Sequence, residues 1–160
     1  MAKLKFPVTA AIRALREEGI SFVEHACKYH ENEVAVGTAE ELGIDLHLVI
    51  KTLVMEDDRG SPLIILMHGD NQVSTKDLAR TIGVKSVQAA SHEAAQKHTG
   101  YVIGGISPFG LRKSLPIYVE ASILRLPRLF INGGKRGFTI EISSEDLARI
   151  LNPMPVNVAR

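Results

Sequence analysis

Apolar residues recur along the chain with two different spacings, which predicts both helices and strands. Residues 8–15 place apolar side chains three and four positions apart, and Gly19 follows, so a helix is expected there. Thr38 with Glu41 three residues later predicts a capping box that starts a short helix ending at Gly43. Further helices are predicted for residues 74–82, followed by Gly83, for residues 91–98, followed by Gly100, and for residues 143–151, ended near Pro153.

Short apolar runs predict the strands, at residues 20–26, 49–55, 62–67, 117–120, 129–132 and 138–142. The runs at 49–55 and 62–67 flank Asp57-Asp58-Arg59-Gly60, which predicts a hairpin whose strands are buried on both faces. Because short strands in hairpins are mixed with short helices, we expect an α/β fold with a largely antiparallel sheet and peripheral helices.

The composition is that of an ordinary globular protein. The 160 residues are 45% apolar and 23% charged, which fits one domain over residues 1–160. One cysteine, Cys27, cannot form an internal disulfide. The start, Met1 to Pro7, lacks the apolar core of a signal peptide, and no apolar run approaches the ~20 residues of a membrane span. We expect a soluble, cytoplasmic protein with no membrane partner.

The net charge of +1 conceals a local excess of basic residues. Residues 97–136 contain one acid, Glu120, against seven cations: Lys97, Arg112, Lys113, Arg125, Arg128, Lys135 and Arg136. Such a stretch suits a phosphate-bearing partner. The alternative is a solvated face whose spatial neighbours are acidic.

Common catalytic motifs are absent. The sequence contains no phosphate-binding loop, no Gly-x-Ser-x-Gly elbow, no Cys-x-x-Cys pair and no His-Glu-x-x-His motif. The six histidines are scattered without ligand spacing, so we expect no metal and no cofactor. Nothing in the sequence places a base beside Cys27, which is interpreted as a small, partly buried residue rather than a nucleophile.

Two glycine-rich loops and one lysine remain as candidates for chemistry. Backbone N–H groups of the loop at 103–108, Ile-Gly-Gly-Ile-Ser-Pro, could hold an oxyanion, and residues 133–137 form a second glycine-rich turn. Lys51 is a lone charge in an apolar, strand-like run. If that face of the strand is covered, the Lys51 ammonium group needs an anion or several hydrogen-bond acceptors. The alternatives are tight turns for the loops and a solvent-exposed edge-strand lysine.

Taken together, these segments resemble the YbaK family of free-standing aminoacyl-tRNA deacylases, relatives of the editing domain inserted in prolyl-tRNA synthetases. The resemblance extends from about Val8 to Leu151, and its Thr-Gly-Tyr-x-x-Gly-Gly-Ile-Ser-Pro stretch is specific. The residues that carry it are 50–54, 96–110, 131–137 and 146–148. It implies a mixed, largely antiparallel sheet or partly closed barrel with peripheral helices.

The resemblance also implies a reaction. Family members cleave the ester between a wrongly attached amino acid and the 3′ end of tRNA, and the best-known members remove cysteine from proline tRNA and from cysteine tRNA. The substrate thiol is thought to attack its own ester, so no protein nucleophile is required. The implied partners are aminoacylated tRNA and, in a ternary complex, prolyl-tRNA synthetase.

The family pattern assigns roles to particular positions. Lys51 and Gly105 are the catalytic residues that it implies. The implied substrate-binding residues are Thr52, Gly104, Ile106, Ser107, Pro108, Asn132, Gly133, Gly134, Val36 and Cys27. Among the cations of the basic stretch, Lys135, Arg136, Arg112 and Lys113 are expected to bind tRNA.

Three of these positions depart from the family pattern. Cys27, Val36 and Asn132 stand where the well-known cysteine-clearing members carry Tyr, Phe and Ser. Small changes in an apolar pocket alter specificity, so deacylation of alanine or serine is an alternative. A non-catalytic module that binds the tRNA 3′ end, or an adaptor that docks on a synthetase, are the others.

Overall fold

The computed structural model describes residues 5–160. The first four residues of the start discussed above lie outside this range. The helices are α1 (Ala10–Glu17), α2 (Val34–Leu42), α3 (Thr75–Ile82), α4 (His92–Thr99) and α5 (Ser144–Leu151). The strands are β1 (Val23–Ala26), β2 (Val49–Asp57), β3 (Pro62–His68), β4 (Val87–Ala89), β5 (Ile117–Glu120), β6 (Arg128–Lys135), β7 (Phe138–Ser143) and β8 (Met154–Val156). Short 3₁₀ helices cover Leu46–Leu48 and Ala121–Arg125.

All the strands join one mixed sheet in the order β1-β7-β6-β2-β3-β5-β8, with β4 paired to β2 outside this path. The pairs β1–β7, β6–β7, β2–β3 and β2–β4 are antiparallel, while β2–β6, β3–β5 and β5–β8 are parallel. The α/β class with a mixed sheet is therefore confirmed. Within residues 5–160 no ladder joins β1 to β8, so the sheet is open.

The predicted hairpin forms the centre of the sheet. β3 lies between β2 and β5, and six consecutive residues from Leu63 to His68 are buried. A strand covered on both faces needs apolar side chains at nearly every position, which explains its continuous apolar run. One apolar core packs α1 and α5 against the sheet face that carries Ile50 and Val54. A second core packs α3 against the opposite face, which carries Met55.

Two neighbours share one edge of β2. The β6 ladder covers only Val49 and Ile50, and the β4 ladder begins only at Met55. Among the residues that the structure describes, the middle of β2 therefore has a ladder partner on its β3 side but none on the other. The cavity described below lies at this split in the sheet.

A helix is found near Thr38, but its predicted first residue is wrong. The helix α2 begins at Val34, and Thr38 is buried in its middle. Glu33 precedes the helix and makes no side-chain cap. Packing decides the boundary, because Ala35, Ala39 and Leu42 cover Val49 and Phe130 on the sheet. The strand predicted from residue 20 begins at Val23, and β4 and β8 were not predicted.

Among residues 5–160, no helix combines the length and apolar character that a membrane crossing requires.

Candidate functional site

A cavity of about 470 Å³ opens at the split in the sheet. Its volume lies within the range of roughly 300–1,000 Å³ that is usual for small-molecule sites. The walls come from the start of α2, most of β2, the end of β4, the loop after α4 and the middle of β6. The lining includes Asn32–Val36, Thr38, Val49–Met55, Gly69, Ala89, Ala90, Ala95, Ile103, Gly104, Ile106, Ile131, Asn132 and Thr139.

Lys51 supplies the positive charge in this lining. Its side chain is half-buried, and Nζ donates a hydrogen bond to the Asn71 carbonyl oxygen at 2.5 Å. Burial lowers the pKa of Lys51 below the ordinary lysine value, and the Asp70 carboxylate offsets part of that shift. Because its side chain is half-buried, Lys51 is not the solvent-exposed edge-strand lysine of the alternative interpretation. The ammonium keeps N–H groups for an acceptor in the cavity.

A hydrogen-bonded cluster supports the turn that carries Asn71. The His47 ring stacks on the His68 ring at 3.6 Å, and His47 Nδ1 lies 2.9 Å from Asp70 Oδ1. His68 is fully buried, with Nδ1 2.7 Å from the His47 carbonyl oxygen and Nε2 2.7 Å from Ser122 Oγ. Burial lowers the pKa of His68, which keeps the ring neutral.

The same three side chains form the one group with metal-ligand spacing among residues 5–160, since potential ligand atoms of His47, His68 and Asp70 lie within 4.8 Å of one another. Both nitrogens of His68 are already used in hydrogen bonds. The cluster is therefore built as a support for the turn at Asp70 and Asn71, next to Lys51.

The glycine-rich loop contributes to the cavity through part of its length. Gly104 and Ile106 line it, whereas Gly105, Ser107 and Pro108 are buried outside the lining. The Gly105 N–H donates to the Val102 carbonyl at 2.8 Å, so this N–H is already used within the loop. Gly105 instead allows close packing, because a Cβ there would lie 2.8 Å from the Arg136 backbone nitrogen.

Asn132 joins this loop to the hairpin of β6 and β7. Its Nδ2 donates to the Gly104 carbonyl at 3.1 Å, and its Oδ1 accepts from the N–H groups of Gly134 at 2.6 Å and Lys135 at 3.2 Å. Gly133 and Gly134 follow Asn132 in the chain and do not line the cavity. One side chain in the middle of β6 therefore hydrogen-bonds to both glycine-rich segments.

Replacing Asn132 with alanine is expected to lower the free energy of unfolding by about 1–3 kcal/mol, because half-buried backbone groups lose their partner. Urea denaturation measures this change. The control is Asn157→Ala at an exposed position, which should remain within about 0.5 kcal/mol of wild type. Equal stability of the two variants would show that the Asn132 bridge does not hold the loops.

Two of the three other predicted substrate-binding residues line the cavity. Thr52 and Val36 line the cavity. Cys27 does not, and its thiol is half-buried next to Glu41 and Thr139. Burial raises the pKa of the Cys27 thiol, and the Glu41 carboxylate adds to the rise. Such a thiol is protonated near neutral pH.

The predicted tRNA-binding cations lie in two places. Arg136 donates through Nε to the Ile103 carbonyl at 2.8 Å, beside the cavity loop. Lys135 is exposed next to it. Arg112 packs against Gly100 at the end of α4, and both Arg112 and Lys113 are exposed.

Sequence reasoning missed Tyr29. The Arg136 guanidinium lies 4.8 Å from the centre of the Tyr29 ring. The ring also faces Gly104, whose φ is +88°, and a Cβ at Gly104 would lie 2.6 Å from the tyrosine hydroxyl. Tyr29 falls in an irregular polar segment, where no periodic pattern identifies it.

Comparison with known proteins places these features in context. A family model described as "Aminoacyl-tRNA editing domain" matches residues 32–150. A protein of Enterococcus faecalis named "Putative Cys-tRNA(Pro)/Cys-tRNA(Cys) deacylase EbsC" is 29% identical to this chain, over 90% of this chain and 88% of that protein. The proline–tRNA ligase of Limosilactobacillus fermentum is 23% identical over 62% of this chain, which spans only 18% of the ligase.

A solved structure extends the comparison to three dimensions. It is described as a "putative trans-editing enzyme for prolyl tRNA synthetase" and matches with a TM-score of 0.81 at 22% identity. The match covers 94% of this chain and 95% of that one. At this identity the match shows a shared fold.

Proposed function

Because this chain belongs to the aminoacyl-tRNA editing domain family, also known as the YbaK family, we propose that it removes cysteine from mischarged proline tRNA in trans. We propose that it also acts on cysteine attached to cysteine tRNA. The observation that carries the proposal is the cavity at the split sheet, which is lined both by Lys51 and by Gly104 and Ile106 of the glycine-rich loop. The E. faecalis relative named as a Cys-tRNA deacylase supports the choice of amino acid.

The chemistry of the lining supports a reaction in which the substrate supplies its own nucleophile. Among the described residues, the lining holds no histidine and no cysteine, and its ionisable side chains are Glu33 and Lys51. No protein nucleophile with an adjacent base therefore faces the ester. Cysteine attached to tRNA carries a thiol next to its own ester carbonyl.

In the proposed step, the substrate sulfur attacks the ester carbonyl carbon and the carbon–oxygen bond to the ribose breaks. The thiol proton is transferred to the ribose oxygen, which leaves tRNA with a free hydroxyl group and a cyclic thiolactone. Lys51 stabilises the negative charge on the carbonyl oxygen, and the enclosed cavity holds the thiol in position. Because this step consumes no water and releases a cyclic product, the proposed activity is that of a lyase rather than a hydrolase.

The rest of the tRNA lies outside the cavity. We propose that Arg136 and Lys135, beside the loop of Gly104, contact phosphates near the tRNA 3′ end, and that Arg112 and Lys113 contact phosphates farther along. The related segment within proline–tRNA ligases supports a ternary complex with that synthetase.

The proposal predicts a strong preference for cysteine over serine on the same proline tRNA. Serine differs in having a hydroxyl in place of the thiol, so its release should be roughly 100-fold slower or more, since the intramolecular nucleophile is lost. Release of labelled amino acid from Cys-, Ser- and Ala-tRNA(Pro) measures the preference. Equal rates with cysteine and serine would rule out a required thiol and favour attack by water. No acceleration with any of the three would contradict deacylation.

A further inference from the structure

One backbone edge in the cavity has no partner among residues 5–160. The strand β2 is paired with β3 from Ile50 to Glu56. On the opposite side the β6 ladder ends at Ile50 and the β4 ladder begins at Met55. Within the described part of the chain, residues 51–54 therefore lack a neighbouring strand on that side.

The hydrogen-bond pattern shows which groups face this gap. The Val49 carbonyl accepts from the Gly69 N–H, beyond the end of β3, so Val49 faces β3. Because successive residues of a strand alternate in direction, Thr52 and Val54 point away from β3. The Ala90 N–H donates to the Val54 carbonyl at 3.0 Å, which confirms the alternation.

Three groups are left over: the N–H and C=O of Thr52 and the N–H of Val54. Within residues 5–160 none of them has a hydrogen-bond partner, and the buried Thr52 Oγ1 has none either. Backbone groups in the interior of a sheet are nearly always paired. We call these three groups the open edge of β2. Since residues 50–55 line the cavity, the open edge is available to a ligand there.

We propose that the open edge of β2 binds the adenine base of the terminal tRNA nucleotide, through its amino group and an adjacent ring nitrogen. The Thr52 C=O accepts from the adenine amino group, and a neighbouring N–H donates to the ring nitrogen. Adenine carries such an adjacent donor and acceptor. The assignment rests on the proposed function, which brings a tRNA 3′ end into this cavity.

The surroundings of the open edge favour a planar base over the other parts of the substrate. Its neighbours in the lining are the apolar side chains of Ala89, Ala90, Ile106 and Ile131, which suit the faces of an aromatic ring. Among the described residues, the one acid in the lining is Glu33, at the start of α2. The substrate ammonium group is therefore assigned to the α2 end. An added peptide strand does not fit, because β6 and β4 close the gap at both ends.

Amide exchange of the free protein gives a first test of the open edge. In ¹⁵N-labelled protein, the amides of Thr52 and Val54 should exchange with solvent faster than those of Leu53 and Met55, which face β3. Adenosine monophosphate should shift and protect the Thr52 and Val54 amides. In inosine monophosphate an oxygen acceptor replaces the amino donor, so this nucleotide should bind about tenfold more weakly.

A variant pair locates the binding site without touching the backbone groups. Ala89 lines the cavity from β4, where it pairs with Met55 next to the open edge, and Ala89→Leu enlarges this part of the lining. It should weaken adenosine monophosphate binding about tenfold or more. Gln88→Leu, exposed on the same strand but outside the lining, is the matched control and should bind as wild type does.

Equal affinity for the two nucleotides, or unchanged Thr52 and Val54 amides in the presence of adenosine monophosphate, would overturn the assignment. Equal binding by Ala89→Leu and Gln88→Leu would also overturn it. These measurements do not depend on turnover. Base recognition can therefore fail while deacylation is observed, and deacylation can fail while the base binds.

Discussion

Replacing Lys51 with alanine is expected to lower kcat/KM for cysteine release from proline tRNA by about 100- to 1,000-fold, the usual effect of removing one electrostatic group from an oxyanion site. The free energy of unfolding should change by no more than about 1 kcal/mol, because the lost interaction is one hydrogen bond to the Asn71 carbonyl. Single-turnover release of labelled cysteine and urea denaturation measure the two effects. The control Lys76→Ala, at an exposed position on α3, should leave both unchanged.

The pH dependence separates a role for the ammonium from a purely structural role of Lys51. Burial lowers the pKa of this amine, so the folded protein releases the proton at a lower pH than the unfolded chain, whose lysine value is 10.5. As pH rises between these two values, stability gains from the loss of a half-buried charge. Enzyme-dependent activity should fall over the same window, after subtraction of spontaneous ester cleavage.

Lys51→Arg keeps its charge throughout that window, so any activity it retains should persist to higher pH. An alkaline limb that is the same in wild type and Lys51→Arg would show that this amine does not control the reaction. Full activity of Lys51→Ala would remove Lys51 from the mechanism altogether.

Replacing Gly105 with alanine is expected to have the second large effect. The added Cβ would lie 2.8 Å from the Arg136 nitrogen and 2.9 Å from the Lys135 carbonyl carbon. Both are backbone atoms, so the two glycine-rich segments must move apart. The expected loss of stability is about 1–3 kcal/mol. Because Gly104 and Ile106 shift with the loop, kcat/KM should fall by about 100-fold.

Gly83→Ala separates a loss of stability from a loss of geometry. Gly83 ends α3 with φ of +79°, and a Cβ there would meet no atom within 4 Å. This variant should cost about 1 kcal/mol through backbone strain, yet keep wild-type turnover. If Gly105→Ala turned over as fast as Gly83→Ala at matched folded fractions, the contact between the two segments would have no catalytic importance.

The sequence predicts the centre of the fold well, because one signal dominates there. The runs at 49–55 and 62–67 are apolar at nearly every position, and both strands are confirmed. The predicted start of α2 was wrong, because packing of Ala35 and Ala39 on the sheet outweighs the local capping pattern at Thr38. The three-residue strands β4 and β8 exist only through their pairing with β2 and β5, which no local pattern reveals.

The candidate site was likewise predicted from the sequence only in part. Lys51 stands out in sequence as a lone charge in an apolar run, and it lies in the cavity lining with Gly104. Tyr29 and the open edge of β2 could not be found in this way. The first depends on a contact with Arg136, and the second on where two distant strands stop. Both are properties of the tertiary structure.

The most direct test of the proposed activity is the time course of labelled cysteine release from Cys-tRNA(Pro), followed with wild-type protein, with Lys51→Ala and with buffer alone. We predict that wild-type protein accelerates release well above the buffer rate and that Lys51→Ala remains close to that rate. Indistinguishable time courses in all three reactions would contradict deacylation by this protein.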